Sequence, residues 1–131
     1  MQYVPPFDLI KNTVSITTVK GELRVTLSYE DFIKIVKQLL TGTPIDEDWY
    51  MTRYEDVAKA LRSGEIKSAR EHFIEHGYVE GRLPGPITVD EKWYLEQYPD
   101  VAESVRRGVD ASAQAHFDRD GYREGRLPFA L

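Results

Sequence analysis

The chain has 131 residues, 41% hydrophobic and 30% charged, the composition of a folded domain rather than a disordered tract. Its net charge of -5 offers no general grip on phosphate backbones, which excludes nucleic acid as an expected partner. The absence of cysteine removes disulfides, thiolate metal sites and a nucleophilic thiol. No apolar run approaches the ~20 residues that cross a bilayer. The amino terminus MQYVPPFDLIKNTV lacks the basic-then-apolar order of a secretory signal, so a cytoplasmic location without membrane insertion is expected.

In chain order, the first readable element is residues 13–27, TVSITTVKGELRVTL. Val14, Ile16 and Thr18 alternate with polar or small residues, Lys20-Gly21 offers a turn, and Leu23, Val25 and Leu27 alternate on the far side. This predicts a β-hairpin. Ser28 then caps YEDFIKIVKQLL, a helix over 28–41 with an apolar stripe of Phe32, Ile35, Val36, Leu39 and Leu40. That helix is expected to shield one face of the hairpin. The strand edges still present unpaired backbone groups, since a lone hairpin is marginal in water, and a second copy of the chain could satisfy them. A homodimer through the N-terminal hairpin is therefore expected.

The rest of the chain is written twice. At an offset of 44, windows 46–84 and 90–128 agree at 21 of 39 positions, a match that chance does not produce. A period in the ~20–50 range marks stacked supersecondary units, each unable to bury its apolar face alone. In the second copy Tyr98-Pro99 separates a first helix, DEKWYLEQ, from a second, PDVAESVRR, closed by Gly108. In the first, Glu55 stands where the proline would be, so the two helices are expected to run together with a weaker bend. Ser68 and Ser112 cap a third helix, Ser68 with Glu71 forming a capping box, and Gly77 and Gly121 are read as its left-handed terminus. Tyr50, Tyr54, Val57, Ala58 and Leu61 fall at helical intervals, as do Tyr94, Tyr98, Val101, Ala102 and Val105; with Ala69, Phe73, Ala113 and Phe117 these predict the core.

The phrasing WYLEQYPDVAESVRRG followed by SAQAHFDRDGYREGRLP resembles a bacterial tandem helical repeat. Such repeats occur beside glycosyltransferases and other transferases of envelope polysaccharide synthesis, and in large surface proteins. The resemblance covers both repeat windows and leaves the hairpin segment aside. It implies a small helical accessory module and carries over no catalytic residue.

Several residues invite a chemical reading. His72 and His76 are four apart on one helix, the spacing at which two imidazoles meet one metal. The second copy offers only His116 and Asp120, so a histidine packed beside Phe73 and bonded to a loop carbonyl is preferred, with no metal and no cofactor. Asp56 with Arg82, and Asp100 with Arg126, recur at matching positions and suit a bidentate clamp; the rival is an anion site at the arginines. Glu80 and Glu124 as catalytic carboxylates would have to converge in a cleft, for which two copies of one loop give no argument. Trp49, Trp93, Tyr78 and Tyr122 are either core or platforms for a sugar ring or protein partner. The two tryptophans lie one residue off the main stripe and are expected to be half exposed.

These observations predict an α+β, mostly α protein, with the N-terminal hairpin and helix (1–44) packed on two three-helix repeats (45–88 and 89–131) in one compact unit. The expected role is a non-enzymatic protein–protein interaction or assembly module, tied through the resemblance to envelope polysaccharide machinery, its protein partner unidentified. The alternative is a carbohydrate-binding module using Trp49, Trp93, Tyr78, Tyr122, Arg82 and Arg126.

Overall fold

The computed structural model describes residues 3–131. The protein is mostly α with one small antiparallel hairpin, and it divides into two compact units, one running to Gly85 and the other from Pro86.

The first unit begins with a short helix α1 (Phe7–Lys11), followed by β1 (Ser15–Val19) and β2 (Glu22–Thr26). Lys20 and Gly21 both take left-handed backbone angles, φ 52° and 78°. This is the two-residue turn whose twist matches its strands, and Gly21 supplies the conformation without strain. Ile16 pairs with Val25 and Thr18 with Leu23, so the alternation places Ile16, Leu23 and Val25 on one face. Ser15, Thr17, Glu22 and Arg24 lie on the other. The expected shielding by the following helix is not found: every residue of both strands is exposed.

Helix α2 (Tyr29–Leu40) turns elsewhere. Ser28 Oγ accepts from the Asp31 amide at 3.0 Å, capping it as the sequence requires. Val36 and Leu40 join a cluster formed by Tyr50, Val57, Ala69 and Phe73. The helix thus contributes its inner stripe to the first repeat, leaving Phe32 and Leu39 exposed.

The first repeat consists of α3 (Glu47–Arg53), α4 (Glu55–Ser63) and α5 (Ala69–His72), the last continuing as a π-helical turn, Phe73–Gly77. The second repeats this as α6 (Glu91–Gln97), α7 (Pro99–Arg106) and α8 (Ala113–His116) with its π turn Phe117–Gly121. Contrary to expectation, α3 and α4 do not run together. Tyr54 is extended (φ -119°, ψ 90°), nearly matching Tyr98 before its proline (φ -121°, ψ 83°). Tertiary contacts replace the proline. The Tyr54 hydroxyl accepts from the Leu83 amide at 2.9 Å, and its ring meets Tyr50 at 4.8 Å.

Each repeat closes on itself. The Asp46 amide donates to Pro84 carbonyl at 3.0 Å, and Asp90 to Pro128 at 2.9 Å, joining the start and end of each copy. Each copy also has its own core: Tyr94, Val101, Ala113, Phe117 and Val89 form the second cluster. The expectation that neither copy buries its apolar face alone holds for the first, whose cluster takes in Val36 and Leu40 of α2, but not for the second, whose cluster is drawn from residues 87–122. A chain of helix, break, helix, loop and π turn returns to its origin and wraps a single buried tyrosine. Of the expected stripe, Tyr50 and Val57 are fully buried, as are Tyr94 and Val101, while Tyr54, Ala58 and Leu61 are half-buried.

Candidate functional site

The repeated residues assemble around Tyr50 and Tyr94. Each hydroxyl shares a hydrogen bond with the Nδ1 of a histidine on the third helix, His72 at 2.9 Å and His116 at 3.0 Å. The histidine's partner is thus a tyrosine hydroxyl rather than the expected loop carbonyl. Burial pushes Tyr50 well above the usual phenol range and Tyr94 up to about 12. Burial, with the nearby Arg82 charge, holds His72 below the ordinary imidazole value. Both rings therefore stay neutral in the folded state near pH 7.

Gly77 and Gly121 serve this arrangement, not a left-handed helix end. A Cβ at Gly77 would stand 2.2 Å from the Tyr50 hydroxyl oxygen, and one at Gly121 2.3 Å from that of Tyr94. The left-handed turn comes later, at Gly81 and Gly125, with φ 78° and 77°. The π turn is the matching backbone adjustment, with Tyr78 amide reaching back to the Phe73 carbonyl at 2.9 Å.

Arg82 and Arg126 are committed within their own copies. Arg82 donates two bonds to Asp56, at 2.8 and 2.7 Å, and Nε donates to Glu80 at 2.8 Å, with the guanidinium 4.8 Å from the Tyr54 ring centre. Arg126 repeats all of this with Asp100, Glu124 and Tyr98. The Arg82 bonds pull Asp56 down to about 2, and Asp100 is likewise lowered by Arg126. The arrangement fastens the EGR loop to the second helix and occupies the charge that an anion would need. Glu80 and Glu124 are held by the same arginines.

Trp49 and Trp93 are half-buried, each edge-on to the tyrosine at the helix break (6.2 Å to Tyr54 and to Tyr98). Tyr122 is half-buried against Phe117, and Tyr78 is the more exposed member of its pair. Among the described residues no group of His, Asp and Glu could hold a metal. His72 and His76 face each other at 5.7 Å between ring centres, but His72 Nδ1 is engaged by Tyr50.

The third helix is capped by a device the sequence reading missed. Ser68 and Ser112 cap as expected, and an acid from another helix takes further first-turn amides. Glu47 of α3 accepts from the Arg70 amide at 2.9 Å, and Glu91 of α6 accepts from Ala113 and Gln114 at 3.0 Å. The recurrence of Glu47 and Glu91 at matching positions was the available signal.

Exposed apolar side chains are most concentrated before the repeats. Phe7 and Leu9 of α1, Ile16, Val19, Leu23 and Val25 of the hairpin, and Tyr29, Phe32 and Leu39 of α2 are all exposed. A groove of about 240 Å³ adjoins α2, with Ile33, Val36, Leu40 and Ile74 along it, Tyr29 and Tyr78 in its walls, and a 2.6 Å Lys37–Glu75 ion pair. The hairpin face is legible from its alternation, whereas Phe32 and Leu39 fall in the apolar stripe of α2 that the spacing assigns inward. No helix among the described residues is long and apolar enough to cross a membrane. Comparison with protein-family models, curated proteins and solved structures gives no match.

Proposed function

We propose that the chain is a non-catalytic assembly module that pairs with a second copy of itself through residues 3–40 and presents the two closed repeats as attached units. The observation that carries this reading is the exposed apolar surface of α1, the hairpin and α2, in a segment where only Pro5 and Leu40 are buried. A two-stranded sheet with both faces in water lacks the third strand or covering layer that makes such hairpins stable, and apolar patches of this kind mark interfaces. The resemblance to accessory repeats beside bacterial glycosyltransferases favours a scaffolding role next to envelope polysaccharide machinery. The alternative, a carbohydrate surface built from the repeated aromatics and arginines, draws less support. Both arginines are spent on carboxylates of their own copy, and both tryptophans pack on tyrosines.

Sedimentation velocity across a concentration series tests the reading. The full chain should sediment as a dimer, and a chain beginning at Ser28, which keeps the α2 residues that fill the first core, should be monomeric. A full chain that stays monomeric at high micromolar concentration overturns it.

A further inference from the structure

We infer that the second copy joins edge to edge along β2, antiparallel about a two-fold axis at Leu23, so that Glu22 of each chain faces Arg24 of the other. This rests on the self-assembly reading and adds its geometry.

Three observations select this arrangement. First, Val19 and Glu22 close a two-residue turn, which makes them a hydrogen-bonded pair. The alternation then turns the Leu23 and Val25 backbone groups of β2 outward, free to pair with a neighbouring strand. Second, the apolar residues of β2 are the most open in the hairpin: Leu23 is 73% and Val25 56% exposed, against 43% for Ile16 and 41% for Val19 of β1. Third, β2 carries the hairpin's only two strand charges, Glu22 and Arg24, flanking Leu23. Among the described residues they meet only each other, at 3.3 Å and in the open.

Charge then fixes the register. With outward groups at 23 and 25, a two-fold axis falls at Leu23, Arg24 or Val25. An axis at Arg24 sets the two Arg24 side chains opposite each other, which is unfavourable. An axis at Val25 places Arg24 opposite Thr26 and leaves Glu22 beyond the strand. Only the axis at Leu23 matches both charges, and it continues the face of Ile16, Leu23 and Val25 on one side of a four-stranded sheet. The contact is isologous, as a closed dimer requires.

The test exploits the two charges. Glu22→Arg alone sets arginine against arginine across the axis, and Arg24→Glu alone sets glutamate against glutamate; each should weaken dimerisation about ten-fold or more. Mixing the two variants should restore a dimer, because the arginine introduced at position 22 of one chain then meets the glutamate introduced at position 24 of the other. The mixture does not repair the pair within either chain, so its rescue reports the contact between chains. Both side chains are exposed, and circular dichroism confirms that each variant is folded. The cysteine-free background gives a second readout. Leu23→Cys should form a disulfide-linked dimer under mild oxidation, since its Cα atoms would lie ~5.5 Å apart. Val25→Cys, with its two copies roughly 14 Å apart along the strands, should not. A dimer that ignores both charge variants, or that links through Arg24→Cys, Val25→Cys or Thr17→Cys, overturns the β2 register while sparing the self-assembly reading. A wild-type monomer overturns both.

Discussion

Removing the Arg82 side chain should destabilise the first unit by an amount that depends on pH. The Asp56 carboxyl falls from 3.8 to about 2 because Arg82 bonds both its oxygens. At ~1.36 kcal/mol per pKa unit that is worth ~2.4 kcal/mol at most. The Asp56 side chain is 62% exposed and Arg82 19%, so solvent screening cuts it to ~1 kcal/mol. Losing the guanidinium from the Tyr54 ring, 4.8 Å away, adds roughly 0.5–1 kcal/mol. Arg82→Ala should therefore cost ~1.5–2 kcal/mol at pH 7, or ~6–16 °C in Tm for a unit of this size. Because the folded pKa is depressed, the ionic share is fully present above the unfolded value near 3.8 and is lost as pH falls towards 2. The ring contact persists. Thermal melts of wild type, Arg82→Ala and Arg82→Lys from pH 7 to pH 2 should show the gap narrowing by about half, with lysine intermediate because it keeps charge but not the fork. An unchanged melting temperature, or a gap as wide at pH 2 as at pH 7, refutes the clamp.

Three further outcomes follow from the same geometry. Gly77→Ala should cost ~2–3 kcal/mol by driving a methyl group into the Tyr50 hydroxyl; adding Tyr50→Phe should recover part of it, so a non-additive double mutant in thermal melts is the check. His72, held low by burial, binds fewer protons folded than unfolded, so wild-type stability should fall as pH drops below ~6.5 and the fall should shrink in His72→Gln, measured by denaturant titration. Protein purified without a histidine tag should carry no zinc after dialysis; one retained zinc per chain by elemental analysis would contradict this.

Local chemistry was legible: alternation in TVSITTVKGELRVTL predicted both strands, and Ser28, Ser68 and Ser112 cap where expected. The paired Asp and Arg residues were legible because two charges recurring together imply a contact. Errors arose where a residue answers to something distant in sequence. Tyr54 breaks the first repeat without a proline because Leu83 holds its hydroxyl, which no local propensity encodes. Gly77 suits a helix terminus by its local sequence, but its lack of a side chain serves Tyr50, 27 positions earlier. The period of 44 locates the copies but not the Asp46–Pro84 and Asp90–Pro128 bonds that close each one.

Where the two copies differ, the differences are coordinated, and this separates the role of one from the other. In the first copy the third helix carries Ile74, Glu75, Tyr78 and Val79. Glu75 pairs with Lys37 of α2, and the apolar members line the α2 groove. The matching residues of the second copy are Asp118, Arg119, Tyr122 and Arg123, three of them charged. Arg119 turns instead to its own repeat and pairs with Asp110 at 2.7 Å. Asp110 stands where the first copy has Ile66, and is 3% exposed; it also accepts from Ser104, which stands where the first copy has Ala60. Three exchanges in one neighbourhood thus convert an apolar contact into a bonded polar one, as burying a carboxylate requires. The first copy's third helix is thus fitted to α2, and the second copy's to a polar contact inside its own repeat.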